Sequence, residues 1–376
     1  MNTERSLMIV GVGDLAGLVL DMLTRVPRFG KIYLAGRNME HMTQRKNLCL
    51  LVANQLGYYP DMECIPLNLM QIDKSAETIA QYKPDVIFNS ATFQSWRIIT
   101  YLPKEVFKEI DQAQFGPWLP MHLTPVYKLM QAVKASGTDA KVVNAAFPDA
   151  VCPVLSKIGL NPTIGIGNAA NVIPTLRGAV ALKFKVPVEE IEVSLCTQHY
   201  FSHRIPAYGD AGGSPYYFQA RVNGTDVRDQ YTDDEIFQSV ATDFKKFGGA
   251  FRQMITASSA VSVLLPMLLD SGQRTHAPGP NGLPGGYPVT VNFDKVSVVL
   301  PDDITLEKAI EINNDCQRFD GIDKIDDDGT VHFTEQEMAI MKKMLGYECL
   351  TMPLAECEAR SEELGQKFQA FRKQFS

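Results

Sequence analysis

The chain has 376 residues, of which 45% are apolar and 21% are charged, and its formal net charge is −7. This size and composition are typical of a folded protein with two or three domains. The mild negative charge argues against a nucleic acid or an anionic membrane as the main partner, and the apolar runs stop well short of the ~20 residues of a membrane-spanning helix. Fibrous, disordered and membrane-spanning classes are therefore excluded.

The seven cysteines are scattered along the chain without a CxxC pair. An odd, dispersed set indicates reduced thiols, not a disulfide framework or a zinc site. The first ten residues, MNTERSLMIV, enter a strand-like run and lack the apolar stretch of a signal peptide. We therefore expect a cytoplasmic protein without a metal site.

The first 150 residues alternate strand and helix patterns at the pace of a parallel α/β sheet. Short apolar strands are predicted at 7–10, 31–35, 61–69, 85–89 and 141–146, and helices at 15–26, 40–55, 75–81 and 120–135. This order predicts a doubly wound Rossmann domain over residues 1–150.

The second half has a different pattern, with mostly apolar helices, a hairpin signal at Asn223-Gly224 and a turn-rich stretch at 279–287. These features predict an α+β catalytic domain over residues 151–352. The pattern of residues 353–376 predicts a charged amphipathic helix. We expect its apolar stripe to pack either on a partner subunit or on the first domain of the same chain.

A glycine-rich loop follows the first strand and opens the first helix, in the order Gly11, Gly13, Asp14, Leu15 and Ala16. Glycine allows the tight turn and the close approach of backbone N–H groups to a pyrophosphate, which then lies at the helix N-terminus. We predict that these five residues bind a dinucleotide. Ser90 and Ala91, directly after the fourth strand, complete the predicted cofactor contacts.

The second strand ends in Gly36-Arg37-Asn38, where an NAD-preferring site usually places a carboxylate for the ribose hydroxyls. A guanidinium can instead bind a 2′-phosphate through two hydrogen bonds. Arg37 and Asn38 therefore favour NADP over NAD, although Arg37 could also be a solvated loop residue.

Four later segments add to the glycine loop, and their order and spacing resemble the superfamily of lactate and malate dehydrogenases, which also includes the family 4 glycoside hydrolases. They are 85–91 (DVIFNSA), 142–149 (VVNAAFPD), 165–177 (GIGNAANVIPTLR) and 198–199 (QH). The resemblance implies that Arg177 pairs with a substrate carboxylate and that His199 exchanges the proton. Asn144 would line the site at the end of the fifth strand.

The sequence departs from that superfamily at two places. Pro174 stands where the dehydrogenases carry an Asp that orients the histidine, and Asn171 or Asp149 could take its place. Without a carboxylate partner, the pKa of His199 is expected to lie lower than in the dehydrogenases. The loop at 92–114 has a single arginine, which makes a lactate- or malate-sized substrate doubtful. Trp96 in this loop and Trp118 beside it either line a larger, less charged pocket or simply pack.

These observations favour an oxidoreductase that uses NADP, or NAD, on a carbonyl or secondary alcohol of a small, carboxylate-bearing substrate. Two alternatives stay open. One is a glycoside hydrolase that uses NAD and a metal, although Gly167 stands where those enzymes have a cysteine ligand. The other is a cofactor-binding protein without turnover. The resemblance also implies a homo-oligomer, either a dimer or a tetramer.

Overall fold

The computed structural model describes residues 4–26, 30–247 and 249–375. Its first sheet comprises β1 (Leu7–Val10), β2 (Ile32–Gly36), β3 (Met62–Pro66), β4 (Val86–Asn89), β5 (Lys141–Asn144) and β6 (Ile164–Gly165). The helices of this part are α1 (Asp14–Leu23), α2 (Met39–Gln55), α3 (Ile72–Tyr82), α4 (Lys104–Asp111), α5 (Leu119–Ser136) and α6 (Pro148–Ser156).

All pairs in this sheet are parallel, and the strand order is β3-β2-β1-β4-β5-β6. The strands are short apolar runs with both faces buried, as expected when helices cover both sides. The order reverses between β1 and β4, and this switch point opens a crevice at the carboxyl ends of the strands. The predicted Rossmann topology is confirmed, and the sheet continues past residue 150 because β6 lies at Ile164–Gly165.

The chain then leaves the sheet through α7 (Ala169–Phe184), β7 (Ile191–Cys196), α8 (His199–Tyr208), β8 (Tyr217–Val222), β9 (Thr225–Asp226), α9 (Asp233–Thr242) and α10 (Gln253–Leu269). It continues with β10 (Gln273–Pro278), β11 (Gly286–Val291), β12 (Val296–Val298) and α11 (Leu306–Gln317). Strands β7–β9 and β10–β12 form two small antiparallel sheets. This mixture matches the predicted α+β character of the second half.

The last segment turns back onto the first part of the molecule. It contains β13 (Ile322–Ile325), β14 (Val331–Phe333), α12 (Glu335–Leu345), β15 (Thr351–Met352) and α13 (Cys357–Arg372). Its apolar side chains share one buried core with α5 and the strands of the first sheet. Phe368 of α13 lies edge-on to Trp118, with ring centroids 5.3 Å apart, and Lys128 pairs with Glu358 at 2.6 Å. The predicted stripe of the tail therefore packs within its own chain.

A second core lies on the opposite side of the first sheet, where α1 and α10 pack against it. A third fills the space between α7, α9 and the β7–β9 sheet. Within the described ranges, no helix combines the length and apolarity that a bilayer crossing requires.

Candidate functional site

A cavity of about 710 Å³ lies in the crevice at the carboxyl ends of β1, β2, β4 and β5. This volume is in the usual range for sites that hold cofactors and small molecules. Every predicted cofactor residue lines it except Ala16, whose side chain is buried in the core behind the loop. The cavity also reaches His199 at its inner end.

The outer end of the cavity is formed by the glycine loop. Gly11 has φ +83°, and a Cβ at this position would lie 2.8 Å from the backbone of Ala91. The Ser90 hydroxyl donates to the Gly11 carbonyl at 2.5 Å, so the residues after β4 hold the loop in this conformation. At Gly13 the space for a Cβ is open, and no side chain caps the N-terminus of α1. The free N–H groups of the first helical turn therefore face a cavity that an anion can enter.

The end of β2 borders the same part of the cavity. Asn38 caps α2 because its Oδ1 accepts the His41 N–H at 3.0 Å, so this side chain has a structural role. Arg37 is exposed and forms no hydrogen bond or ion pair with another described residue. Its guanidinium is thus available to a ligand in the cavity.

Asp14, the first residue of α1, forms an ion pair with Arg97 from the loop that follows β4. Both residues line the cavity. The pair neutralises a carboxylate that would otherwise repel an anion at the helix N-terminus.

His199 is the first residue of α8 and lies at the inner end of the cavity with 8% of its surface exposed. Its Nδ1 lies 2.9 Å from Oδ1 of Asp320, and Oδ2 of Asp320 accepts the Tyr200 N–H at 2.7 Å. Asp320 is 1% exposed and is held by these two bonds. Since Nε2 of His199 forms no hydrogen bond with a described residue, it is the nitrogen available to a ligand.

The partner of His199 corrects two expectations. Neither Asn171 nor Asp149 bonds the imidazole; the carboxylate comes from Asp320, which no sequence pattern had indicated. Burial alone would lower the pKa of His199, but the charge and hydrogen bond of Asp320, helped by Asp149, outweigh it and raise the pKa. The expectation that His199 lacks a carboxylate partner was therefore wrong, because the partner comes from Asp320 and not from the position of Pro174.

Asp149 and Asn168 form a second polar pair beside the histidine. The Asn168 amide donates to Oδ2 of Asp149, while Oδ1 of Asp149 is buried without a partner among the described residues. Burial raises the pKa of Asp149 to about 6, against the lowering effect of the Asn168 hydrogen bond. Asn168 lines the cavity and combines φ 54° with ψ −121°, a strained conformation of the kind that clusters at functional sites.

Arg177 does not lie with His199. It is nine residues beyond Asn168, about 13 Å along α7 at the usual helical rise. Its Nε and Nη2 donate to the carbonyls of Ile191 and Val188, both at 2.9 Å. It lines a separate cavity of about 440 Å³, together with Pro174. The predicted role as substrate anchor does not fit this placement, because the guanidinium is occupied by backbone oxygens elsewhere.

Asn144 is also outside the cavity. It is fully buried at the end of β5, where Oδ1 accepts from Asn89 and from the Ala146 N–H, both at 3.0 Å, and Nδ2 donates to the Ala146 carbonyl. Its polar atoms are used to shape the turn after the strand. Asn144 therefore shapes the backbone after β5, and its side chain does not line the cavity.

Sequence reasoning missed most of the side chains around His199. Besides Asp320, they are Phe115, Phe147, Asn168 and Gln253, and His122 lines the same cavity. The two tryptophans have different surroundings. Trp96 lines the cavity, whereas Trp118 is buried against α13. A signal existed for Trp96, which belongs to the loop at 92–114 that departs from the dehydrogenase pattern, and Phe115 directly follows this loop.

Comparison with known proteins gives matches in structure alone, since neither a protein-family model nor a characterised sequence matches the chain. A malate dehydrogenase from Cryptosporidium parvum is 13% identical, with a TM-score of 0.56 over 84% of this chain and 98% of that one. A lactate dehydrogenase from the same organism, in complex with lactic acid and nicotinamide adenine dinucleotide, is 15% identical, with a TM-score of 0.55 over the same shares. A malate dehydrogenase from Aeropyrum pernix is 14% identical, with a TM-score of 0.56 over 84% and 97%. The resemblance to this superfamily is confirmed at the level of the fold.

Proposed function

We propose that this protein is an NAD(P)-dependent oxidoreductase, with NADP favoured, that transfers a hydride between nicotinamide and a carbonyl or secondary alcohol of a small substrate. The observation that carries this proposal is the His199–Asp320 pair at the inner end of a cavity whose outer end is a glycine loop on a helix N-terminus. A proton-exchanging group and a dinucleotide-sized cleft thus meet in one place.

The residues at the outer end fit a dinucleotide. The open space at Gly13 and the uncapped first turn of α1 suit a pyrophosphate, and the free guanidinium of Arg37 suits a 2′-phosphate. The nicotinamide, when bound, supplies or accepts the hydride. Gly11, Asp14, Leu15, Ser90 and Ala91 would surround the phosphates and the adjacent ribose.

His199 would act as the acid or base. With Nδ1–H donating to Asp320, Nε2 of the imidazolium donates a proton to the carbonyl oxygen in reduction, and neutral Nε2 accepts it from the hydroxyl in oxidation. Asp320 is a positioning residue in this scheme: it sets the ring orientation and stabilises the imidazolium. Its second oxygen remains bonded to Tyr200, so the pair keeps its geometry in both protonation states.

The substrate is proposed to carry a carboxylate. Two neighbours of the same fold support this, one in complex with lactic acid and one, from Eimeria maxima, with NADH and oxamate. In this chain Arg177 is not available to hold it. Gln253 and Asn168 are the neutral polar side chains that line the cavity near His199 and could contact it.

A homo-oligomer is proposed as well. Its support is a set of exposed leucines in the second half of α2 and directly after it, where Leu48, Leu51 and Leu56 are 52%, 69% and 56% exposed. Light scattering on the full chain tests this, and a monomer mass contradicts it.

The activity is tested with reduced cofactor that carries deuterium at the transferring position. Binding of NADPH and NADH is titrated first by protein fluorescence, and the complex is then incubated with a panel of ketones and 2-oxo acids. We expect deuterium on the former carbonyl carbon of at least one product. Tight cofactor binding with no deuterium transfer to any probe would instead favour a cofactor-binding protein without turnover.

A further inference from the structure

The inner end of the cavity is lined by aromatic rings that enclose His199. We call Trp96, Phe115 and Phe147 the aromatic wall. Phe115 lies at its centre: its ring centroid is 4.7 Å from that of His199, 4.2 Å from that of Phe147 and 5.0 Å from that of Trp96. Phe147 lies 5.8 Å from His199 and has a left-handed φ of 41°, so the backbone turn after β5 aims its ring at the site. A ligand that reaches His199 must therefore contact apolar ring surface.

Cations are scarce beside this wall. The only lysine or arginine side chains among the described residues that line the cavity are Arg37 and Arg97. Arg37 belongs to the end of β2, on the cofactor side, and Arg97 is paired with Asp14. His122 also lines the inner end, but burial and the nearby His199 lower its pKa to about 3, so it is neutral. Apart from His199, no cationic side chain among the described residues lines the inner end, and Arg252, whose charge acts on His203 beside His199, lies outside the lining.

Two buried carboxylates lie near the wall. Asp320 is bonded to His199, and Asp149 lies behind Asn168 with one buried oxygen free. A second carboxylate on the substrate, as in a dicarboxylic acid, would be desolvated and repelled here. An apolar group would lose no hydrogen bonds with water on entry and would cover ring surface.

We infer that the substrate carries an aromatic or similarly bulky apolar group on the carbon chain next to the reacting carbonyl, and that this group packs on the aromatic wall. The inference rests on the proposed function and narrows it from small carbonyl compounds to aryl-bearing ones. Aromatic side groups gain most at such a site because edge-to-face and offset contacts with Phe115 and Trp96 add to area burial. Burial of one ring corresponds to about a 10- to 100-fold gain in affinity.

The test uses alcohols that cannot react with reduced cofactor, so binding is measured whether or not the protein turns over. Two pairs are titrated by calorimetry into the full chain, with and without NADPH: 3-phenyllactate against lactate, and 1-phenylpropan-2-ol against propan-2-ol. The first pair has a carboxylate and the second does not. In at least one of the two pairs, we expect the aryl alcohol to bind about 10- to 100-fold more tightly than the alkyl alcohol. Equal affinity within both pairs, or no measurable binding of either aryl alcohol, overturns the inference.

Variants of the aromatic wall show whether its rings cause the tighter binding of aryl alcohols. Phe115→Leu and Trp96→Leu keep apolar volume but remove a ring, and each should lower the aryl-to-alkyl affinity ratio by about fivefold or more, the scale of a lost aromatic contact. Phe184→Leu, at the end of α7 and outside the cavity lining, is the matched control and should leave the ratio unchanged. Aryl selectivity that survives both wall variants contradicts the assignment of the wall. If no probe receives deuterium but aryl alcohols still bind more tightly than alkyl alcohols, the proposed hydride transfer is rejected, while the inference that the ligand carries an aryl group stands.

Discussion

The two ends of the cavity are built in different ways. The outer end, where the cofactor is proposed to bind, is lined mainly by two short stretches, residues 11–15 and 37–38, each directly after one strand. The inner end takes Phe115, Phe147, Asn168, His199 and Asp320 from five segments that are far apart in the chain. The outer end can be recognised in the sequence as a motif. The inner end forms only when the last part of the chain packs onto α5 and α8.

The largest effect is expected at the inner end. His199→Gln removes the proton-exchanging group but keeps a polar side chain of similar size, so turnover should fall by roughly 10²–10⁴. NADPH affinity should stay nearly constant, because the cofactor contacts lie at the other end. Steady-state kinetics and a fluorescence titration on the same preparation check both statements. Near-normal turnover would remove His199 from the mechanism and direct attention to His203, whose ring centroid lies 4.2 Å from that of His199.

Asp320→Asn should lower carbonyl reduction by roughly 10- to 100-fold, the scale of a charge-assisted hydrogen bond. Reduction needs the imidazolium, so its rate falls as pH rises through the pKa of His199. Since Asp320 raises that pKa, the variant should lose activity at lower pH than the wild type. A pH–rate profile of both proteins decides this, and an unchanged profile would mean that Asp320 is only structural.

The same pair should make stability depend on pH. A histidine whose pKa is raised by folding stabilises the protein fully below its unfolded value of about 6.5, and this stabilisation is lost as pH rises through the folded pKa. The melting temperature of the wild type should therefore exceed that of Asp320→Asn by more at about pH 6 than at about pH 9. A difference that is constant across this range would contradict the raised pKa.

A smaller effect is expected at the cofactor end. Arg37→Ala should weaken NADPH binding by about tenfold, the lower end for a charged hydrogen bond because Arg37 is exposed. NADH binding should hardly change, since NADH lacks the 2′-phosphate. Tighter binding of NADH than of NADPH by the wild type would contradict the predicted preference.

The smallest effect is expected at Arg177. Because Arg177 forms two hydrogen bonds to backbone carbonyls, Arg177→Lys should lower the free energy of unfolding by about 1 kcal/mol. Because Arg177 lies outside the cavity that contains His199, kcat/KM should change by less than about twofold. Chemical denaturation and substrate kinetics check the two parts. A large rise in KM would restore Arg177 to the substrate site and contradict its observed position.

Much of the fold could be predicted because it depends on local patterns. Apolar runs of four or five residues, helical spacing between them and the glycine turn at Gly11 specify strand, turn and helix in order. The parallel order then follows from right-handed crossovers. Boundaries were less accurate: β6 falls beyond residue 150, because a two-residue strand has almost no pattern of its own.

Only some of the residues predicted for the inner end of the cavity lie there. His199 was found through the resemblance and lies in the cavity, but Arg177 and Asn144, found in the same way, do not. One insertion or shift along α7 moves a side chain around the helix, so spacing does not determine which face a residue occupies.

By itself, the sequence determined the parallel sheet, the glycine loop and the candidate histidine, because each depends on neighbours within a few residues. Only the tertiary structure decided that Asp320 bonds His199 across 121 residues, that Phe115 and Phe147 enclose the imidazole, and that Arg177 faces another cavity. The physical reason is that a buried charge needs a partner in space, and close packing chooses that partner from whatever segment reaches it.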